Sequence, residues 1–308
     1  MIKLNNLKFN KDNIEILNDL SIDIYDNSVT CIVGNKGSGK SSILKILSGV
    51  YRNYSGQITY NDKDIDYCKD LKIDVLLDSR EKDEDITVSG YLNFYGNIYN
   101  TYSSAELTNY IDMMLAKFSL LSYKYTSINM LDSENYKLLE LIRISINDPD
   151  VILFDNLFSS DDISFNEKLL EYIKTLIGKK TLVFTSRNLN ILEEIATHIV
   201  IIDGGKVIAM GKKEDVYKKA FLNNKINLQV LEGEQEAVDI LKGIDEISNI
   251  TYDDNIISFS LSSDISYSTD RNKVEADILK KLVDNGAIIY SYQKQQVKFE
   301  HLFEKLKG

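Results

Sequence analysis

Tryptophan is absent from this chain of 308 residues, proline occurs once (Pro149), and cysteine and histidine occur twice each. Two cysteines, Cys31 and Cys68, cannot build a disulfide framework; they fit a reducing compartment, as packing residues. No run approaches 18 consecutive apolar residues, so no membrane span is expected. The opening MIKLNNLKFN lacks the basic-then-apolar layout of an export signal. Positive charge is also in deficit, with 36 Lys and Arg against 47 Asp and Glu and a net charge of −11. Such a surface repels nucleic acid, and the longest basic runs are mere pairs such as Lys179-Lys180. No repeat and no low-complexity linker interrupts the chain.

What is present is a phosphate loop. Gly34-Asn35-Lys36-Gly37-Ser38-Gly39-Lys40-Ser41 completes the G-x-x-x-x-G-K-[ST] pattern. It follows the apolar run Val29–Val33 and leads through Ser42 into Ile43-Leu44-Lys45-Ile46-Leu47, a strand–loop–helix setting. Glycines let successive backbone N–H groups turn inward toward phosphate oxygens, and the helix N-terminus adds positive potential. Lys40 would reach the β- and γ-phosphates, and Ser41 would offer its hydroxyl to Mg²⁺. The ligand class is therefore ATP or a related triphosphate with Mg²⁺. The apolar run Val151-Ile152-Leu153-Phe154 ends in Asp155, which would steady the metal through water.

The pattern along the chain predicts an α/β fold. Two meandering strands occupy 1–26, and short apolar runs at 73–77, 151–154, 181–185 and 199–202 read as strands of a mostly parallel sheet. Residues 86–147 read as mostly helical, with an aromatic stripe at 91–99 that suits core packing better than its alternative, a docking surface. Asp203-Gly204-Gly205 marks a hairpin. After about residue 224 the order becomes β-α-β-β-α-β, a ferredoxin-like arrangement, closed by a helix at 297–306.

Taken together, residues 1–215 resemble the ATP-binding subunits of ABC transporters. Ile16-Leu17-Asn18-Asp19-Leu20-Ser21 is similar to the family's V-L-x-D-V-S strand. Leu47-Ser48-Gly49 with Ser55-Gly56-Gln57-Ile58, the segment 86–92, and the hairpin Asp203–Ile208 with Gly211 also match its pattern. The C-terminal part, ending Phe299-Glu300-His301-Leu302-Phe303-Glu304-Lys305-Leu306, is similar to the accessory domain of ATPases serving ABC-2 type exporters. The resemblance implies an ATP-binding domain over 1–222 with an antiparallel β subdomain and a helical subdomain over about 86–147. An α+β accessory domain would follow over 223–308.

Several positions depart from the family. The residue after Asp155 usually carries a Glu that polarises water; here it is Asn156, an amide that cannot accept a proton at neutral pH. Nearby Asp161 or Asp162 would be the substitute bases. The switch His is replaced by Arg187, a cation able to contact a γ-phosphate. The signature L-S-G-G-Q corresponds to Leu131-Asp132-Ser133-Glu134-Asn135. A carboxylate there faces a phosphate charge at a cost of about 4 kcal/mol per pair at 4 Å and an effective dielectric of 20, before solvation offsets. Asp78 stands at the Gln-loop position, from which it would approach Mg²⁺. Lys11 replaces the adenine-stacking aromatic; Phe9, two residues earlier, should point to the same face by strand alternation and is expected to substitute.

The reading that follows is an ATP-binding subunit of an ABC exporter, with weak or absent hydrolysis of its own. Its cofactors are ATP and Mg²⁺. Its expected partners are an ABC-2 type membrane permease and a like or related ATP-binding subunit, in a heteromeric complex held on the cytoplasmic face of the membrane. The alternative is a non-hydrolysing nucleotide sensor that regulates a membrane partner.

Overall fold

A computed structural model describes residues 1–78, 85–185, 189–220, 225–253, 255–261 and 271–294. The chain divides into two compact units, Met1–Gly211 and Lys212–Gly308. The boundary at 222/223 read from sequence falls within the second unit.

In chain order the first unit contains the strands β1 (Ile2–Lys11), β2 (Ile14–Ile24), β3 (Val29–Gly34), β4 (Ser55–Tyr60), β5 (Lys63–Asp64), β6 (Ile73–Leu76), β7 (Val151–Asp155), β8 (Thr181–Thr185), β9 (His198–Asp203) and β10 (Lys206–Lys212). Its helices are α1 (Lys40–Leu47), α2 (Val88–Tyr99), α3 (Ser104–Lys117), α4 (Ser133–Asn147), α5 (Ile163–Leu176) and α6 (Leu189–Ile195). Four strands form an antiparallel sheet in the order β2-β1-β4-β5, and six form a second sheet in the order β10-β9-β3-β8-β7-β6. Within the second, β9, β3, β8, β7 and β6 pair in parallel. Every residue of β7 and β8 is buried, which is why both read as unbroken apolar runs rather than alternating ones. Ile2, Leu4, Leu20 and Ile22 from the antiparallel sheet share one core with Ile43 and Leu47 of α1 and Leu153 of β7. The phosphate loop is thus backed by apolar packing.

The helices α2, α3 and α4 fill the region read as helical. Thr87 caps α2, and Ser103 with Glu106 forms a reciprocal capping box on α3. Within the aromatic stripe the expectation of core packing holds for Tyr91, which is buried. Phe94 and Ile98 on the same helix are 56% and 60% exposed.

One buried network fastens this region to the sheet. Arg143 of α4, 7% exposed, donates through Nη1 to Asp74 Oδ1 of β6 at 2.9 Å and through Nε to Glu140 at 3.0 Å. It also donates to the Tyr99 hydroxyl at 2.7 Å and to the Val75 carbonyl at 3.1 Å, while Asn147 donates to Asp74 Oδ2 at 2.9 Å. Burial works to lower the Arg143 pKa, but Glu140 and Asp74 hold it well above its ordinary value. The charge is buried only because every side of the guanidinium finds an acceptor.

The second unit opens with α7 (Lys213–Ala220) and continues β11 (Lys225–Glu232), α8 (Glu234–Lys242), β12 (Ile247–Asp253), β13 (Ile256–Leu261), α9 (Arg271–Asp284) and β14 (Ile288–Lys294). Its sheet runs β12-β13-β11-β14 with antiparallel pairing throughout. Ile226, Leu228 and Val230 alternate on one face of β11 and pack with Val238 and Leu241 of α8 and Leu282 of α9. The helix expected at 297–306 lies outside the described residues. No helix among the described residues is long and apolar enough to cross a membrane.

Candidate nucleotide site

The phosphate loop bridges the C-terminal end of β3 and the N-terminus of α1, as the motif requires. Two glycines are fixed by geometry. A Cβ on Gly34 would lie 2.2 Å from the Ile202 carbonyl oxygen and 2.7 Å from Ser38 Oγ. Gly39 has φ 102°, and a Cβ there would meet Leu17 Cδ2 at 2.5 Å. Lys40 Nζ donates to the carbonyls of Gly34 and Asn35, each at 2.7 Å, so its ammonium is held over the loop. Asn35, Lys36 and Gly37 are exposed at the tip, and Ser38 is buried beneath them. Ser42 follows in the first turn of α1.

The candidate metal side forms at the adjoining strand ends. Asp155, the last residue of β7, is buried, and its Oδ1 accepts from Ser41 Oγ at 3.0 Å and from the Thr185 hydroxyl at the end of β8. A hydroxyl and a carboxylate in contact at a phosphate loop fit a small oxygen-loving cation. Mg²⁺ takes few protein ligands and fills its octahedron with waters and phosphate oxygens.

The opposing side is assembled from side chains that the sequence scatters. Asn156 adopts the left-handed conformation, φ 55°, which asparagine tolerates. Its N–H donates to the Thr185 carbonyl at 2.7 Å, and its Nδ2 donates to Asp78 Oδ2 at 3.0 Å. Asn156 Oδ1 is buried with no hydrogen-bond partner among the described residues. Asp78 also lines a cavity of about 500 Å³ together with Glu134, Lys137, Ser159 and Asp161. Burial lowers the pKa of Lys137, opposed by the charges of Asp78 and Glu134.

Asp132 stands at the N-cap of α4, where its side chain accepts from the Asn135 N–H at 2.7 Å; Asn135 Nδ2 returns a bond to Asp132 Oδ2 at 2.9 Å. Glu134 follows in the first turn and accepts from the Ser160 hydroxyl. Two carboxylates therefore already satisfy the positive end of α4. Asp162 is engaged too, as the N-cap of α5, accepting from the N–H groups of Ser164 and Phe165.

The structure corrects one expectation. Phe9 is 3% exposed and stacks on Tyr51 with ring centroids 5.0 Å apart, so it cannot serve as an adenine platform. Register shifts on both sides of Phe9 break the strand alternation that placed it on the face of Lys11. Arg187 lies outside the described residues, as does His301. His198 sits in β9 and stacks on Tyr25. The contact between Asp78 and Asn156, and that between Glu134 and Ser160, had no signal in the sequence.

Residues 17–159 match the family described as ABC transporter. The chain is similar to an uncharacterized ABC transporter ATP-binding protein of Methanocaldococcus jannaschii, 29% identical over 247 residues, 78% of this chain and 90% of that protein. It is 28% identical over 232 residues to the Lactococcin-G-processing and transport ATP-binding protein LagD of Lactococcus lactis. That match takes in 71% of this chain and 32% of LagD. Among solved structures, one described as the ATP binding subunit of an ABC transporter superposes with a TM-score of 0.64 at 18% identity, covering 71% of this chain and 92% of the other. Loop, strand order and sequence matches converge: residues 17–159 match the ABC transporter family, and the first unit has the fold of an ABC transporter ATP-binding subunit.

Proposed function

We propose that the subunit holds Mg-ATP on residues 34–42, serves an ABC-2 type exporter permease, and turns the nucleotide over slowly by itself. The observation that carries the slow turnover is Asn156, an amide directly after the metal-side carboxylate Asp155. An amide orients water but cannot take its proton. Ser41 and Asp155 would hold Mg²⁺, which when bound neutralises charge building on the phosphates. Lys40 would leave the loop carbonyls for the β- and γ-phosphate oxygens, exchanging neutral acceptors for charged ones.

The acids at the head of α4 support the pairing part of this reading. A triphosphate on a second subunit would meet Asp132 and Glu134, so a homodimer would have two weakened closures. A heteromeric complex with a related ATP-binding subunit is favoured, in which this chain chiefly holds ATP and transmits closure to the permease. The exporter assignment is supported by the second unit, whose β-α-β-β-α-β order and sheet order β12-β13-β11-β14 fit a ferredoxin-like accessory domain. LagD, by its name, is a transport protein.

The test is calorimetric titration of Mg-ATP into the full chain, paired with steady-state phosphate release. Saturable binding with turnover far below that of a full ATPase is expected. Phosphate release at ordinary ABC rates that vanishes in Lys40→Ala would contradict the slow-turnover reading.

A further inference from the structure

We propose that Asp78 is the catalytic base for such hydrolysis as this subunit performs, with Asn156 as its positioning residue; the inference rests on Mg-ATP binding at the phosphate loop. Water attacking a γ-phosphorus must part with one hydrogen and must be aimed by the other. A group that takes the proton and a second acceptor that holds the remaining O–H therefore have to lie side by side. Asn156 follows Asp155, whose Oδ1 is bonded to Ser41 at 3.0 Å, so its side chain starts from the metal side of the site. Its Nδ2 is spent on Asp78 at 3.0 Å, which leaves Oδ1 as a buried acceptor with no partner among the described residues. A carboxylate and an amide oxygen without a partner thus stand one hydrogen bond apart; because Oδ1 is enclosed, one water reaches both acceptors once the Asn156 side chain turns toward the site. Asp78 is exposed and borders the cavity of about 500 Å³, which gives water access to it.

Two neighbouring acids are less suited. Asp162 spends its carboxylate on the N-terminus of α5, and Glu134 takes the Ser160 hydroxyl. Neither is bonded to Asn156.

In the step itself one O–H bond of the water breaks and its proton passes to an Asp78 oxygen. The electron pair of that bond goes to the new O–P bond at the γ-phosphorus. The bond between that phosphorus and the β,γ-bridging oxygen breaks, and ADP leaves with the electron pair. The second hydrogen of the water stays on its oxygen, bonded to Asn156 Oδ1. Lys137, near enough to Asp78 to interact with its charge, keeps that carboxylate from facing Glu134 uncompensated.

The experiment measures Mg-ATP affinity by calorimetry and phosphate release on the full chain, for the wild type, Asp78→Gln and the exchange variant Asp78→Gln/Asn156→Glu. Asp78→Gln is expected to lose at least about tenfold of the phosphate release, since a general base supplies 10²–10⁴. Its Mg-ATP affinity should stay within about threefold of the wild type, the signature of a group that acts in the transition state. The exchange variant, which returns a carboxylate to the neighbouring position, should recover turnover, so that the single loss is not misfolding. Wild-type phosphate release in Asp78→Gln would overturn the proposal, as would a wild type that binds Mg-ATP without hydrolysing any. Equal losses of affinity and turnover in Asp78→Gln would also overturn it, placing Asp78 on the metal instead. A wild type that binds no Mg-ATP would instead overturn the nucleotide-binding reading beneath it.

Discussion

The two sides of the nucleotide site are built by different means. On one side the grip is backbone: Gly34 and Gly39 admit no Cβ, and Lys40 is pinned by two loop carbonyls six and five residues away. On the other side everything depends on side chains brought together across the chain. Asp78 meets Asn156 across 78 residues, and Ser160 meets Glu134 across 26. A backbone site tolerates little change, because altering one glycine strains the whole loop. A side-chain site can be rewritten one residue at a time while the fold persists. That difference accounts for a subunit whose loop matches its motif in full while Asn156 and the head of α4 depart from the family pattern.

The strongest challenge to the comparison removes the frame beneath the side-chain half. Asp74, four residues before Asp78, is held by Arg143 of α4 at 2.9 Å. Arg143→Met leaves Asp74 and Glu140 buried without their cation and should cost about 3–5 kcal/mol in denaturant unfolding. A loss below about 1 kcal/mol would mean that water already relieves the pair.

On the loop side, Lys40→Ala should lower Mg-ATP affinity on the order of 100-fold, about 3 kcal/mol, the upper range for hydrogen bonds to charged groups. Calorimetry measures it, and melting without nucleotide should hardly change. Unaltered affinity would break the comparison at its firmer side.

The head of α4 separates cap from charge. Asp132→Ala should destabilise by about 1 kcal/mol through the lost cap, and Asp132→Ser, which keeps an acceptor, by a few tenths. Both should strengthen ATP-dependent association of subunits by removing a carboxylate, as read by sedimentation at matched ATP. Weaker association in Asp132→Ser would show that the acid helps the closure.

The smallest effect belongs to alkaline pH. Burial pushes the Tyr99 hydroxyl up to about 12, opposed by the Arg143 charge and reinforced by Asp74. The folded protein holds that proton more tightly than the unfolded chain does. Its contribution is therefore full below pH 10, the ordinary tyrosine value, and is lost as pH rises toward 12. Tm should fall across that window, and Tyr99→Phe should shallow the fall. An identical slope would assign the transition to other tyrosines, of which Tyr91 and Tyr172 are also raised by burial.

Much of the fold is legible in the sequence because it is written locally. The apolar runs of β7 and β8, the helical spacing within 88–147 and the alternation of Ile226, Leu228 and Val230 each declare their element within a few residues. The loop is legible for the same reason. The Asp74–Arg143 network and the Asp78–Asn156 pair are not, since hydrogen bonds between distant polar residues leave no periodic trace. Phe9 departs from strand alternation because of register shifts on both sides of it, which only the pairing register reveals.

A pocket that grips a triphosphate better than it cuts one can be tested in both respects by one measurement. The full chain is incubated with Mg-ATP, freed of unbound nucleotide by rapid gel filtration, and its bound nucleotide is identified by chromatography. ATP is expected to be recovered from the wild type, and none from Lys40→Ala. Recovery of no nucleotide, or of ADP alone with the bulk ATP consumed, would contradict that expectation.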